Sequence, residues 1–408
     1  MKKTIINIST IYGILPQGVT KLCGEEMSVV GTLADAYLTA EDGVITDYGT
    51  MTDMPADAFE NAEIIDARGG CVMPMFCDSH THIVYAGSRD GEFRDKIAGL
   101  TYEEIAARGG GILNSVDLLH ETSEDELYRQ SLARLLEVRA MGTAAIEIKS
   151  GYGLSTEDEL KMLRVIRRLK SASELTVKAT FLGAHDVSRA YRGRQDEYVA
   201  LVCNEMIPAV AAEGLAEYVD VFCDKGFFTV GDTEKILEAG LKYGLVPKIH
   251  ANELAVSGGV QVGVKYNALS VDHLEQTTDA EIACLKGSGT MPTMLPGASF
   301  FSRLPYGRAK DYIDAGLPLA LASDYNPGSS PSGNMRFVMA LACIQMRLTA
   351  AQAFNAVTIN GAYAMDLGST HGSITVGKRS KLIITEPLPS LDFIPYCHQT
   401  PFIKRLVF

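Results

Sequence analysis

The chain has 408 residues, of which 47% are hydrophobic and 21% are charged. This size and composition exclude a short peptide or a disordered tail, and they favour one barrel-sized domain with a smaller companion. The 37 Lys and Arg residues against 50 Asp and Glu residues give a net charge of −13, which argues against a broad nucleic-acid or anionic-membrane surface.

The first predicted elements are short β-strands. Residues 1 to about 70 carry alternating stretches such as TIINIS and AEIIDARGG, separated by turn residues and without helical periodicity. This pattern predicts a small all-β unit at the start of the chain.

Residues 71–365 alternate apolar strand-like runs with helix-length amphipathic segments. The helix candidates include TEDELKMLRVIRRLKSA, for which we expect Thr156 as the N-cap. The strand candidates are GCVMPMFCD, GTAAIEIKS, LTVKATFLGAH, EYVDVFCD, LVPKIHANE, NALSVDHLE, GTMPTML and LPLALASD. Repeated βα units of this kind predict a parallel sheet buried on both faces, either a closed (β/α)8 barrel or an open doubly wound sheet.

Polar residues at the trailing ends of these strands favour the barrel. His, Asp, Glu or Lys recurs there in strand after strand, and a barrel brings those ends together on one face, whereas an open sheet gathers fewer of them at one crevice. After the last helix candidate, GSITVGKRSKLIITEP returns to the strand pattern. We therefore expect an α/β protein with a TIM-like barrel at 71–365 and a small β-sandwich domain formed by 1–70 and 366–408.

Several predicted strands end in residue types that bind metal ions. His80 and His82 follow CVMPMFC, and residues i and i+2 of a strand lie about 6.5 Å apart on one side, near enough to share an ion. His250 ends LVPKIH, His273 ends NALSVDH and Asp324 ends LPLALASD. Taken alone, each of these residues is equally consistent with an ordinary polar residue at the end of a strand. Together they match the ligand set of one divalent metal ion such as zinc or ferrous iron.

Six longer strings are specific enough to indicate a family: DSHTHIVYAGSRDGEF, EIKSGYGL, TFLGAH, HANEL, VDHLE and ASDYNPGSSPSGNM. On these strings, nearly the whole chain resembles the metal-dependent amidohydrolases and, within them, the imidazolonepropionase family. The resemblance implies one divalent metal ion, zinc or iron, held by His80, His82, His250 and Asp324. It also implies hydrolysis of the ring amide of 4-imidazolone-5-propanoate to N-formimidoyl-L-glutamate, the third step of histidine degradation.

The resemblance further implies which residues contact the substrate: Arg89, Tyr152, His185, Glu253, His273, Asn326, Gly328 and Ser329. We expect His273 and Asp324 to orient and deprotonate the attacking water, and Glu253 to hold the ring as a further acid–base candidate. We expect the Arg89 guanidinium to bind the propanoate carboxylate. Without the resemblance, each of three residues has a plainer interpretation. Arg89 is equally consistent with an exposed loop arginine, Glu253 with a surface carboxylate and Tyr152 with a packing aromatic residue.

Three positions need separate comment. Lys149 lies where two-metal relatives carry a bridging lysine, and the one-metal resemblance implies a structural role for it. Asn252 stands where the family has aspartate, and Val271 stands where alanine is usual; neither change removes an expected ligand. We do not expect Asn252 to be catalytic.

The sequence also allows expectations about location, partners and alternative functions. We expect a cytoplasmic protein, because MKKTIINIST lacks a signal-peptide core and no run reaches the ~18–20 apolar residues of a membrane span. The eight cysteines lack CxxC spacing, and we expect them to be reduced. We also expect a homodimer, because barrels of this kind often form one. No GxGxxG or GxxxxGK[ST] motif indicates a nucleotide. The alternatives are a heterocycle deaminase, which would share the metal ligands without needing Arg89, or a non-catalytic relative, which would usually lack those ligands.

Overall fold

The structure is a computed structural model that describes residues 1–100, 104 and 108–408. Its strands are β1 (Lys2–Ile14), β2 (Gly31–Glu41), β3 (Val44–Thr50), β4 (Ala62–Asp66), β5 (Cys71–Pro74), β6 (Phe76–Asp78), β7 (Thr143–Lys149), β8 (Thr176–Ala184), β9 (Tyr218–Cys223), β10 (Val246–Ala251), β11 (Ser270–His273), β12 (Met291–Met294), β13 (Ala320–Leu321), β14 (Leu382–Thr385) and β15 (Ile403–Val407).

The α-helices within the described residues are Asp90–Ile97, Ile112–Glu121, Glu124–Ala140, Thr156–Ser171, Gln195–Leu201, Ile207–Glu213, Val230–Leu241, Gly259–Lys265, Asp279–Leu285, Pro296–Ser302, Ala309–Asp314, Met335–Gln345, Ala350–Val357, Ile359–Tyr363 and Phe393–Tyr396. A π-helical turn, Val202–Met206, joins two of them. Across these ranges, no helix has both the length and the apolar character needed to cross a membrane.

Eight parallel strands, β6 to β13, pair with one another in chain order. The two ends of this sheet meet where the Asp324 amide donates to the His80 carbonyl at 3.0 Å and the His82 amide donates to the Tyr325 carbonyl at 2.9 Å. The predicted barrel is therefore confirmed, and the open doubly wound sheet is excluded. Closure also brings the segment after β6 next to the segment after β13.

Helices of the barrel begin at side-chain caps supplied by the sequence. The Ser123, Ser155 and Thr229 side chains accept hydrogen bonds from backbone amides in the first turns of their helices. A cap of this kind stabilises a helix by about 1 kcal/mol. The predicted cap at Thr156 is wrong by one residue, because Ser155 has the extended conformation of an N-cap and Thr156 already begins the helix.

The two terminal segments form one mixed sheet of seven strands, in the order β15-β14-β5-β1-β2-β3 with β4 also paired to β1. Its own core includes Ile5, Ile11, Leu38 and Ile384. The predicted strand GCVMPMFCD is divided between the sheets: β5 pairs with β1 and β14, and β6 begins the barrel. Pro74, at the end of β5, has no amide proton for a strand ladder. The domain limits 1–70, 71–365 and 366–408 remain a prediction.

Candidate active site

A cavity opens at the carboxyl ends of the barrel strands, which is the face where barrels of this kind build active sites. Predicted metal ligands His82, His250 and Asp324 contribute to its wall. So do all the predicted substrate contacts: Arg89, Tyr152, His185, Glu253, His273, Asn326, Gly328 and Ser329. The structure thus brings residues from widely separated parts of the chain into one cavity.

The four predicted metal ligands form a compact and almost completely buried cluster. His82 Nε2 lies 3.3 Å from His80 Nε2 and 3.4 Å from His250 Nε2. Asp324 Oδ1 lies 3.5 Å from His80 Nε2 and 3.6 Å from His82 Nε2. Ligand atoms bound tetrahedrally at about 2.1 Å are about 3.4 Å apart, so these separations fit one metal ion.

Two buried carboxylates lie against two of these imidazoles. His80 Nδ1 lies 2.7 Å from Asp272 Oδ2, and His250 Nδ1 lies 2.9 Å from Asp220 Oδ2. Because a carboxylate only accepts hydrogen bonds, Nδ1 of His80 carries the proton and its Nε2 keeps its lone pair for the cluster. The Asp220 carboxylate lies beside the His250 ring as a neighbouring charge, in a direction that makes no hydrogen bond to Nδ1. Burial lowers the pKa of His250 to about 4 and the pKa of His80 well below its usual value, so both rings are neutral, as a ligand must be.

Beneath the cluster, Lys149 and Lys248 share the carboxylates of Glu147, Asp220 and Asp272. Lys149 Nζ lies 2.5 Å from Glu147 Oε1 and 2.8 Å from Asp220 Oδ2, and Lys248 forms an ion pair with the other Glu147 oxygen. Burial lowers the pKa of Lys149, but the Asp220 and Glu147 carboxylates outweigh burial and raise it above its usual value. Lys149 is therefore a paired ammonium ion, in agreement with the structural role expected for it.

The loop after β13 holds Asp324. The Asn326 side-chain amide donates to Asp324 Oδ2 at 2.8 Å, and the Ser329 hydroxyl donates to the same oxygen at 3.1 Å. These contacts leave Oδ1 directed at the histidines. The backbone amides of Gly328 and Ser329 both donate to Asn326 Oδ1 at 2.7 Å, so this loop is internally bonded.

His273 lies between two carboxylates at the edge of the cluster. Its Nδ1 is 3.6 Å from Glu253 Oε2 and 3.4 Å from Glu275 Oε1. Burial lowers the pKa of His273, but the charges of Glu253 and Glu275 outweigh burial and raise it well above its usual value. Burial raises the pKa of Glu253 to about 7. These two side chains therefore differ in protonation from exposed His and Glu residues, which is typical of acid–base groups.

His185 and Tyr152 form the wall beside His82. The His185 ring stacks on the His82 ring at a centroid distance of 5.2 Å, and the Tyr152 ring lies 5.4 Å from the His185 ring. His185 Nδ1 lies 3.0 Å from the Gly151 carbonyl oxygen, which only accepts, so Nδ1 is the protonated nitrogen. Burial lowers the pKa of His185 to about 3, and its Nε2 is therefore an acceptor.

Arg89 lies at the rim, directly before helix Asp90–Ile97. Its Nε donates to Glu92 Oε1 at 2.9 Å and its Nη2 donates to Glu92 Oε2 at 2.6 Å. The guanidinium also lies against Gly328, where an added Cβ would come within 2.2 Å of Nη1. Lys96, on the same helix, donates from Nζ to the Gly328 carbonyl at 2.7 Å.

Five charged residues of the site were not predicted from the sequence: Glu92 and Lys96, which line the cavity, and Asp220, Asp272 and Glu275, which contact its histidines. Asp220 and Asp272 had a usable signal, because each is a charged residue inside an apolar strand. Glu275 belongs to the VDHLE string. Glu92 likewise belongs to the string DSHTHIVYAGSRDGEF. Lys96 had no such signal, since a charged residue on a short helix is usually solvent-exposed.

Asn252 lies outside the cavity wall and forms hydrogen bonds within the surrounding loops. Its amide donates to the Gln276 carbonyl at 2.9 Å, and its side-chain oxygen accepts from the Ser257 amide at 3.3 Å. Val271 is completely buried in the core. Neither departure from the family pattern touches the metal cluster.

An eight-stranded parallel barrel with three histidines and an aspartate clustered at its carboxyl end agrees with the class of protein that the sequence comparisons give, which is the amidohydrolases. The sequence model of the Amidohydrolase family matches residues 251–404. The imidazolonepropionase of Christiangramia forsetii is 54% identical over 406 residues, covering 100% of this chain and 98% of that protein. The imidazolonepropionase of Flavobacterium psychrophilum is 52% identical over 406 residues, with the same coverage. The chain belongs to the imidazolonepropionase family.

Solved structures share the fold at much lower identity. A triazine hydrolase variant is 14% identical, with a TM-score of 0.76 over 99% of this chain and 92% of that chain. An adenosine deaminase from Xanthomonas campestris, with bound zinc, is 17% identical, with a TM-score of 0.71 over 99% of this chain and 92% of that chain. These likenesses concern the fold alone.

Proposed function

We propose that this enzyme hydrolyses the ring amide of 4-imidazolone-5-propanoate to N-formimidoyl-L-glutamate, in the degradation of histidine. Membership of the imidazolonepropionase family supports this reaction. The structural observation that carries the proposal is one cavity that contains both a metal-ligand cluster and the Arg89 guanidinium. The cluster suits amide hydrolysis, and the guanidinium suits the propanoate carboxylate.

In this proposal one divalent ion, zinc or iron, is held by His80, His82, His250 and Asp324, because three imidazoles and a carboxylate suit both metals. When bound, such an ion supplies Lewis acidity and lowers the pKa of a coordinated water toward about 7. Asp272 already orients His80 for this purpose through a hydrogen bond, and the Asp220 carboxylate lies beside His250. The His80 ring therefore already presents Nε2 to the cluster.

We infer that His273 and Asp324 orient the attacking water. Because the raised pKa of His273 keeps its ring protonated at neutral pH, Asp324 takes the proton. One ring nitrogen of His273, one of His80 and one carboxylate oxygen of Asp324 lie within 4.8 Å of one another. The water oxygen forms a bond to the ring carbonyl carbon, the carbon–nitrogen bond breaks, and the proton returns to the departing ring nitrogen. Glu253, which contacts His273 and lines the cavity, holds the ring and is a further candidate for that return.

The remaining predicted contacts position the substrate. Arg89 binds the propanoate, and Tyr152 and His185 bind the ring, whose N–H suits the His185 Nε2 acceptor. Asn326, Gly328 and Ser329 supply the loop that borders both the ring and the carboxylate. The proposal includes a cytoplasmic homodimer with no nucleic-acid or membrane partner.

The decisive experiment follows the ultraviolet absorbance of freshly made 4-imidazolone-5-propanoate. Metal-loaded protein is compared with chelator-treated protein, and spontaneous decay is subtracted. We expect metal-dependent loss of absorbance together with formation of N-formimidoyl-L-glutamate. No loss above background with metal-confirmed protein would refute the proposal and direct the search to other cyclic amides or to heterocycle deamination, measured as ammonia release.

A further inference from the structure

Lys96 shares the cavity wall with Arg89 but has no role in the function proposed so far. It lies in the last turn of helix Asp90–Ile97, and its Nζ donates to the Gly328 carbonyl at 2.7 Å. The Phe301 ring covers it on another side, with the ring centroid 4.8 Å from Nζ. These contacts hold the ammonium group at the rim of the cavity. Because an ammonium has three donors, the Gly328 carbonyl leaves others for a ligand.

The charges at this rim are unevenly matched. Arg89 forms a two-point ion pair with Glu92. Glu92 is itself anchored, since its Oε1 also accepts from the Gly111 amide at 3.1 Å and the Asn114 side chain at 3.2 Å. Lys96 Nζ, by contrast, has no carboxylate partner within 4.0 Å among the described residues. The Arg89–Glu92 pair is neutral as a whole, so Lys96 supplies the net positive charge of this wall.

Burial makes Lys96 a favourable partner for an entering anion. Burial and the Arg89 charge lower the pKa of Lys96 to about 8, although the Glu92 and Glu253 charges oppose them. An anion bound beside Nζ compensates a charge that is already partly desolvated. The same ammonium is still protonated at neutral pH, so it is available for such binding.

From this juxtaposition we propose that Lys96 binds the substrate carboxylate together with Arg89 and selects substrates that carry a carboxylate at this end of the ring. This inference rests on the proposed function, because only that substrate class places a carboxylate beside the rim. The competing explanation is structural: Lys96 would merely tie helix Asp90–Ile97 to the Gly328 loop. The two explanations differ in whether the effect of Lys96 depends on the charge of the substrate.

The test compares two substrates, 4-imidazolone-5-propanoate and the corresponding propanamide, which lacks the negative charge. For Lys96→Met we expect KM for the acid to rise about tenfold or more, since a charge-assisted hydrogen bond is lost. We expect kcat to stay close to wild type and KM for the amide to be unchanged. Lys96→Arg, which keeps the positive charge, should restore most of the affinity for the acid. Lys96→Gln is a second neutral variant, and its polar side chain suits the polar rim better than methionine does.

Arg94→Met is the matched control, because Arg94 lies on the same helix, is exposed and is not part of the cavity wall. It should behave as wild type with both substrates. Equal KM changes for acid and amide in the Lys96 variants, or no change for the acid, would overturn the selectivity role and leave the structural tie. Wild-type protein that turns over neither substrate would refute the proposed function itself and, with it, this inference.

Discussion

Gly328 lies against the guanidinium of Arg89, and Gly328→Ala tests whether that guanidinium binds the substrate carboxylate. A Cβ at position 328 would lie 2.2 Å from Arg89 Nη1 and 2.5 Å from Cζ. Gly328 is not in the left-handed conformation, so alanine adds no backbone strain there. The methyl group therefore acts on Arg89 and not on the fold of the loop.

The size of the effect follows from this contact. Non-bonded atoms need about 3.5 Å, so the guanidinium must retreat by more than about 1 Å. Such a shift breaks at least one charge-assisted hydrogen bond to the substrate, which is worth about 1.5–3 kcal/mol. We therefore expect KM for 4-imidazolone-5-propanoate to rise about 10- to 150-fold. The reacting atoms are untouched, so kcat should change little.

The assay measures initial rates from substrate absorbance, with the thermal melting temperature as a check on folding. Gly91→Ala is the matched control, because the nearest atom that its Cβ would meet is Arg94 Nη2 at 3.9 Å. We expect Gly91→Ala to keep the wild-type KM. A folded Gly328→Ala variant that also keeps the wild-type KM would refute the assignment of Arg89 as the carboxylate-binding residue.

Three further predictions concern the metal, the proton transfer and the pH dependence. Asp272→Asn should weaken metal binding about 10- to 100-fold, because Asp272 Oδ2 orients His80 from 2.7 Å; unchanged affinity in chelator competition would contradict this. His273→Ala should lower kcat about 10²- to 10⁴-fold at unchanged metal content, and near-normal turnover would exclude His273 from proton transfer. The pKa of Lys96 is lowered to about 8, so KM for the acid should rise as pH increases above about 8 and Lys96 loses its proton. Lys96→Arg should remove that rise; a pH-independent KM in wild type would contradict it.

The barrel was predictable from sequence because its strands and their polar ends recur in chain order. His250 and His273 lie in the last two residues of β10 and β11, where a barrel places its site. The division of GCVMPMFCD between two sheets was not predictable. An apolar run of that length has the same sequence pattern whether it forms one strand or is divided between two sheets. Its pairing with β1 and β14 depends on residues that are far away in the sequence.

The charged residues beneath the metal cluster could have been predicted from the sequence by a simple rule. Side chains two positions apart on a strand point to the same side. Lys248 therefore shares the barrel interior with His250, and Glu147 shares it with Lys149. If every second residue before a strand-end ligand candidate is examined, the buried charged residues are found. The same rule does not find Glu92 or Lys96, because the direction of a helical side chain depends on how its helix packs.

This buried layer also bears on the number of metal ions. Lys149 is completely buried, and its ammonium lies between Glu147 and Asp220, the latter also held against His250. A role as a second metal ligand would require Lys149 to lose its charge and leave both carboxylates without it. Removing one partner from a buried ion pair costs about 3–5 kcal/mol, a large part of the stability of a typical domain. The charge arrangement beside His250 therefore favours one metal ion over two, so that Lys149 contributes to the site by holding the carboxylates in place.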